Sequence, residues 1–182
     1  DSKGTIWAGT TTNGVIRVVG NSLHPEKINF KKYSLDNGSL NAINVQCLFE
    51  DSKKRLWAGT SGGGLNLYDP KSDTFISVND LFNFPTDIIF NIQEDGNGNL
   101  WIGTNVGLVK LHVPNDMNRT SYRLYTTSDG LQDNVFNRAA AFKTKTGEMY
   151  FGGHCGYNRF YPDKMVDEEI YSPIVITDIK VF

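Results

Sequence analysis

Long apolar runs are missing from this 182-residue chain. Nowhere do about 18 apolar residues follow one another, which excludes a helix that spans a bilayer. An excess of one charge is missing too: 18 Lys and Arg stand against 20 Asp and Glu, for a net charge of −2. Nothing electrostatic therefore draws the chain to nucleic acid or to an anionic membrane. Cysteine is scarce, with only Cys47 and Cys155 far apart in the chain. No disulfide between them is expected and they belong to no metal-ligand cluster, so Cys47 reads as a small core residue on a strand. Sustained 3.6-residue periodicity is also absent, which excludes long helices.

What the chain has instead is a recurring phrase. It reads IWAGT at 6–10, LWAGT at 56–60 and LWIGT at 100–104, with a weaker copy, MYFGG, at 149–153. Trp7, Trp57, Trp101 and Tyr150 thus succeed one another at intervals of 50, 44 and 49 residues, and Gly9, Gly59, Gly103 and Gly152 keep the same step. Self-similarity at such a period marks a repeat architecture, in which each unit buries its apolar face only against its neighbours.

The unit is strand-like. In the second copy the expected strands are 45–50, 56–60, 65–68 and 74–78, separated by Asp51-Ser52-Lys53-Lys54, Gly62-Gly63-Gly64 and Asp69-Pro70-Lys71-Ser72-Asp73. The third copy repeats the plan at 88–94, 100–104, 107–111 and 122–126. Four short β-rich segments bounded by turn residues describe an antiparallel meander, one blade of a β-propeller. The fold class is all-β: a propeller fragment of about four four-stranded blades in an incomplete ring. Units are expected at 1–35 (a partial blade lacking its innermost strand), 36–79, 80–127 and 128–170. Residues 171–182, which follow an acidic stretch with Asp167, Glu168 and Glu169, are either a closing strand or the start of a further domain. Open strand edges of such a ring invite self-association.

A tryptophan at one address in every blade is expected to wedge between adjacent sheets, rather than serve as a sugar-stacking platform. Asp51 and Asp95, at equivalent turns, are expected to cap those turns; a pair of glycosidase carboxylates would have to converge on one cleft. Candidate ligand contacts lie on the face where second-to-third-strand loops and inter-blade links emerge. They are Thr12, Asn13, Ser61, Asn105, Asn134, Arg138 and His154, joined by Thr11, Asn41, Asn44 and Asn137. Hydroxyls and amides suit sugar hydroxyls because they donate and accept, yet the same residues are ordinary turn formers. Arg138 and Arg159 suit an anionic sugar, an inter-blade ion pair or plain solubility. The three histidines, His24, His112 and His154, fall at different phases of the repeat. No catalytic residue, metal site or cofactor is expected.

Three features together resemble the two-component regulator propeller repeat. They are Asp-x-x-Gly-x-Leu-Trp-x-Gly-Thr, a preceding Val/Ile-x-x-Leu/Ile-x-Glu-Asp (Val45, Leu48, Glu50, Asp51; Ile89, Ile92, Glu94, Asp95), and the links YSLDNGSLN at 33–41 and YTTSDGLQDN at 125–134. The stretch 136–163 is similar to a last blade ahead of a domain named for three tyrosines, with 173–182 as the entry to that domain. The resemblance implies the periplasmic sensory part of a hybrid two-component histidine kinase that responds to oligosaccharides from polysaccharide breakdown. It implies no enzyme activity in this segment, and no nucleic-acid or membrane contact. The partners it implies are a glycan, neighbouring blades or a second protomer. The competing readings are a propeller lyase of the streptogramin-lyase type, which would gather a His and a metal-binding carboxylate near the axis, and a protein-binding scaffold like the WD-repeat propellers, whose Gly-His and Trp-Asp pairs are missing.

Overall fold

The computed structural model of the chain describes residues 1–19, 28–79, 81, 83–114 and 117–165. His24, the acidic stretch 167–169 and the run 171–182 lie outside the described residues. Among the described residues, strands β1 (Trp7–Gly9), β2 (Val15–Val19) and β3 (Asn29–Tyr33) form the first sheet. β4 (Val45–Glu50), β5 (Leu56–Thr60), β6 (Leu65–Asp69) and β7 (Thr74–Ser77) form the second. The third holds β8 (Ile89–Glu94), β9 (Leu100–Thr104), β10 (Leu108–His112) and β11 (Ser121–Tyr125), and the fourth β12 (Phe136–Lys143), β13 (Met149–Gly153) and β14 (Gly156–Phe160). Every pairing is antiparallel between strands consecutive in the chain, so each sheet is a meander and the four together are a propeller segment, not a closed ring.

Two sheets have four strands and two have three, where about four four-stranded blades are expected from the sequence. The first has no strand inside β1 among the described residues. Strand ends move by a residue where a turn claims the terminal position. Gly107, at φ 145°, is spent closing the β9–β10 turn, its carbonyl accepting from Thr104 N–H at 3.1 Å, so β10 begins at Leu108. Thr126 caps a short 3-10 turn, its side chain accepting from Ser128 N–H, so β11 ends at Tyr125.

The core is divided among the blade interfaces, and each indole sits in one. Trp7 packs with Val15, Tyr33, Val45 and Phe75; Trp57 with Leu65, Ile89, Ile92 and Ile102; Trp101 with Tyr125, Phe136, Met149 and Phe151. Trp57 and Trp101 have no exposed surface, while Trp7 is half-buried. The wedge expected from the sequence is therefore the observed arrangement.

The glycine two residues after each indole has a reason the sequence does not state. A Cβ at Gly9 would lie 2.7 Å from Val45 Cγ1, and one at Gly59 2.5 Å from Ile89 Cγ2. At Gly103 it would meet Asn91 Oδ1 and Phe136 Cβ, and at Gly152 it would come within 3.1 Å of Ala140 Cβ. Val45, Ile89 and Phe136 each open the innermost strand of the next or facing blade, so the bare Cα is what lets the sheets approach. A methyl there would force a shift costing about 1–3 kcal/mol, as overpacked cores do.

A second fastening ties successive blades at their other end. Ser2 donates its N–H and Oγ–H to Glu50 at 2.6 and 2.9 Å, and Ser52 donates the same pair to Glu94 at 2.8 and 2.7 Å. At the next interface the serine position is Gly96 and the glutamate position Lys143, whose ammonium instead donates to the Glu94 carbonyl at 2.6 Å. Between the first and second blades an added hub forms around Asp73. It accepts from the Tyr33 and Tyr68 hydroxyls at 2.7 and 2.6 Å and from Arg17 at 3.3 Å, and it pairs with Lys31. The Lys31 hydrogen bond, then that of Tyr68, hold the Asp73 carboxyl well below the usual carboxylate range, while burial and the Asp73 bond push the Tyr33 hydroxyl upward.

Candidate functional site

One face of the segment is built from tight turns and inter-blade links stitched together. In the turn between second and third strands of the first three blades a threonine hydroxyl donates to a glycine carbonyl: Thr10 to Gly14 and Thr60 to Gly64 at 2.9 Å, Thr104 to Gly107 at 2.7 Å. The turns then bond to the links. Gly14 N–H donates to Ile43 O at 2.8 Å, Ser61 N–H to Asn44 O at 2.9 Å, and Gly62 and Gly64 N–H both to Asp87 O at 2.9 and 2.8 Å. In the fourth blade Cys155 N–H donates to Gln132 Oε1 at 2.8 Å. The turns of the first and second blades are thus bonded to the path into the next blade, and those of the third and fourth to the link that enters their own.

Most of the rim residues singled out in the sequence spend polar atoms on this network. Asn13 bridges Thr12 and Lys32, each at 3.3 Å, and its N–H donates to Thr10 Oγ1. Asn105 Oδ1 accepts from Thr86 at 2.6 Å, and Asn134 Oδ1 from Thr127 N–H at 2.9 Å. Asn41 donates to Gly63 O at 2.9 Å, Asn44 Oδ1 accepts from Gln46 at 2.8 Å, and Asn137 offers its carbonyl to Asn91 at 2.9 Å. Side chains that satisfy the local backbone and its neighbours in this way hold turns in shape. Thr11 is an exposed residue of the first turn.

Arg138 and His154 are different. Both are exposed, and neither has a hydrogen-bond or ion-pair partner among the described residues. Arg159, by contrast, pairs with Glu148 of its own blade at 3.3 Å. His112 lies at the opposite end of the strands from His154. Its Nδ1 is 2.9 Å from Asn99 Oδ1, and because Asn99 Nδ2 donates to the Asp95 carboxylate, the amide oxygen faces the ring and Nδ1 carries the proton. Among the described residues no three His, Cys, Asp or Glu side chains gather as metal ligands would.

Asp51 and Asp95 cap their turns, as the sequence suggests, but they do something further that the sequence analysis missed. Asp51 Oδ2 accepts from Trp57 Nε1 at 2.9 Å, Asp95 Oδ2 from Trp101 Nε1 at 3.0 Å, and Asp1 Oδ2 from Trp7 Nε1 at 2.9 Å. A buried indole N–H needs an acceptor, and the turn six residues upstream supplies it. The signal was present: in the weaker copy Thr144 replaces the aspartate just where Tyr150, which has no N–H, replaces the tryptophan.

A cleft of about 710 Å³ lies away from the rim, between the β1 hairpin end and the β6–β7 turn, against Trp7, Arg17 and Tyr68. At the rim end a smaller cavity of about 220 Å³ is bounded by β1, β4 and Arg138. It holds Cys47, whose thiol is pushed up to about 12 by burial.

The model of the two component regulator propeller matches residues 39–62 and 83–106, each a link with the two strands after it. Over all 182 residues the chain is 29% identical to a protein named as a histidine kinase from Formosa agariphila, and it spans 13% of that protein's length. In structure it is similar to the extracellular domain of one B. thetaiotaomicron protein, solved twice and assigned once to a one component and once to a hybrid two component system. The first match has TM-score 0.74 and 24% identity over 90% of this chain and 23% of that one; the second has TM-score 0.72 and 23% identity over the same shares. A catalytically inactive virginiamycin B lyase from Staphylococcus aureus, with quinupristin, shares the fold more distantly, at TM-score 0.52 and 13% identity over 86% of this chain and 55% of that one. The Trp-x-Gly-Thr phrases of the second and third blades fall inside the two matched stretches, so the match to two-component regulator propeller repeats holds at 39–62 and 83–106.

Proposed function

We propose that the chain is an extracytoplasmic sensing segment of a hybrid two-component sensor histidine kinase. It responds to oligosaccharides from polysaccharide breakdown and hands a conformational signal to the parts of the receptor that carry kinase chemistry. Under this reading it turns over no substrate itself, and the blade at 128–170 is the last before a three-tyrosine domain. The observation that carries the reading is the stitched rim. Because Ser61, Gly62 and Gly64 bond at once to the links on either side, a ligand that draws the rim together alters how neighbouring blades sit, through contacts that differ between the two states. On that face the exposed side chains of Arg138 and His154, which have no hydrogen-bond or ion-pair partner among the described residues, suit a sugar. The histidine kinase relative and the extracytoplasmic setting of the structural neighbours support the same role. The lyase alternative has less behind it, since His112 and His154 stand at opposite ends of the strands and meet no converging carboxylates among the described residues.

Calorimetric titration of the chain against a panel of neutral and acidic oligosaccharides tests this. The expected result is saturable heat with at least one of them and no new reducing ends. Cleavage of the ligand, or no saturable heat across the panel at millimolar concentration, overturns it.

A further inference from the structure

The innermost strands carry a bulge at their rim ends, and one of them departs from the repeat. In β4 and β8 a single extra residue, Gln46 or Phe90, sits between the paired positions. In β12 the four residues 137–140 oppose Gly152 alone, between the pairs Phe136↔Gly153 and Ala141↔Phe151. This longer bulge holds Ala139 in the left-handed region at φ 55°, a conformation that side chains bearing a Cβ resist. It is anchored from behind by β8, where Asn91 donates to the Asn137 carbonyl at 2.9 Å and Gln93 to the Ala141 carbonyl at 3.4 Å. Its product is an arginine placed where the other blades have none.

Arg138 faces the rim-end cavity of about 220 Å³ together with Trp7, Val45, Gln46, Cys47 and Leu48, residues of the first and second blades. The guanidinium lies near enough to be felt at the Cys47 thiol, which burial keeps neutral. Among the lining residues Arg138 is the one that carries a full charge, and no carboxylate among the described residues pairs with it. An unneutralised guanidinium against neutral and apolar walls is complementary to an oxyanion, and its planar fork fits a carboxylate or a sulfate with two parallel hydrogen bonds.

We infer that the β12 bulge is the specificity element of the sensor, placing Arg138 at the central opening to bind the carboxylate or sulfate of an acidic sugar. This deepens the oligosaccharide reading and rests on it. The two oxyanions share one recognition chemistry, and the experiment separates them.

The chain is titrated with a glucuronate-bearing disaccharide, a sulfated disaccharide and their matched neutral counterpart, each with the wild type, Arg138→Ala and Arg138→Lys. The expected result is that one acidic sugar binds roughly tenfold or more tightly than the neutral one. Arg138→Ala abolishes that preference without changing neutral binding, and Arg138→Lys retains part of it. Raising salt from about 50 to about 500 mM weakens acidic binding to the wild type and leaves the Arg138→Ala variant unmoved. Arg138 is exposed, so unchanged near-ultraviolet dichroism is expected for both variants. Neutral and acidic sugars binding equally, or an acidic preference that survives Arg138→Ala, overturns this inference and leaves oligosaccharide sensing standing. No binding by any of the three overturns this inference, while the oligosaccharide reading falls only if the wider panel also gives no saturable heat.

Discussion

Replacing Asp95 by alanine removes the acceptor of four hydrogen bonds at once. Asn97 N–H, Asn99 N–H and Asn99 Nδ2 each reach it at 2.9 Å and Trp101 Nε1 at 3.0 Å. Asn97 is exposed and can turn to water, but Asn99 is buried and Trp101 has no exposed surface at all. A buried donor left without a partner costs about 1–3 kcal/mol, and these share one carboxylate, so the expected loss is about 3–5 kcal/mol rather than their sum. For a chain of this size that lowers Tm by about 6–20 °C. Urea unfolding followed by tryptophan fluorescence measures the loss, and a double-mutant cycle with Trp101→Phe isolates the indole bond. Because Trp101→Phe removes the donor, the two losses should fall short of additivity by about 1–2 kcal/mol. The pair Asp95→Thr with Trp101→Tyr, which copies the fourth blade, should cost less than its two members added together. If Asp95→Ala lies within about 0.5 kcal/mol of the wild type, or its effect adds cleanly to that of Trp101→Phe, the turn aspartate is not what seats the indole.

Acid should remove the stability that the Asp73 hub supplies between the first and second blades. Its carboxyl is held below the ordinary range by Lys31 and the two tyrosine hydroxyls, so the stability it supplies is present above the unfolded value of about 3.9 and is lost as pH falls toward the folded value. Denaturation at pH 6 and pH 3 should therefore show a smaller acid loss for Asp73→Asn than for the wild type; equal losses would remove Asp73 from the account. A separate expectation concerns association. β1 has no strand on its inner side among the described residues and its Ala8 and Gly9 are exposed, so chains should pair through that edge in a concentration-dependent way that Ala8→Lys suppresses. A single monomeric boundary at every concentration in sedimentation velocity would refute it.

Much of the architecture was readable because its signals are local. The ends of β4, β5, β8 and β9 fall at or within one residue of the positions that turn chemistry marks, since Asp, Gly and Ser there satisfy their own backbone whatever lies beyond. The period of the indoles likewise gave the stacking of blades, because a large ring at one address can be buried only by a neighbour. The candidate rim was less legible. Asn105, Asn134 and Asn41 look alike in sequence to amides that wait for a ligand, and only their partners, Thr86, Thr127 and Gly63, show them to be fastening the rim.

The sequence by itself determined the blade: four alternating segments, their turns, and the wedge at which each meets the next, all set by neighbours a few residues apart. Tertiary structure decided what meets across blades. Ser2 finds Glu50, Asp73 gathers Arg17, Lys31 and Tyr33, Gly59 gives way to Ile89, and Arg138 comes to face Gln46 and Cys47. Those meetings depend on the spacing and twist between sheets and on the length of one bulge. They are properties of the array, and no stretch of a few residues can encode them.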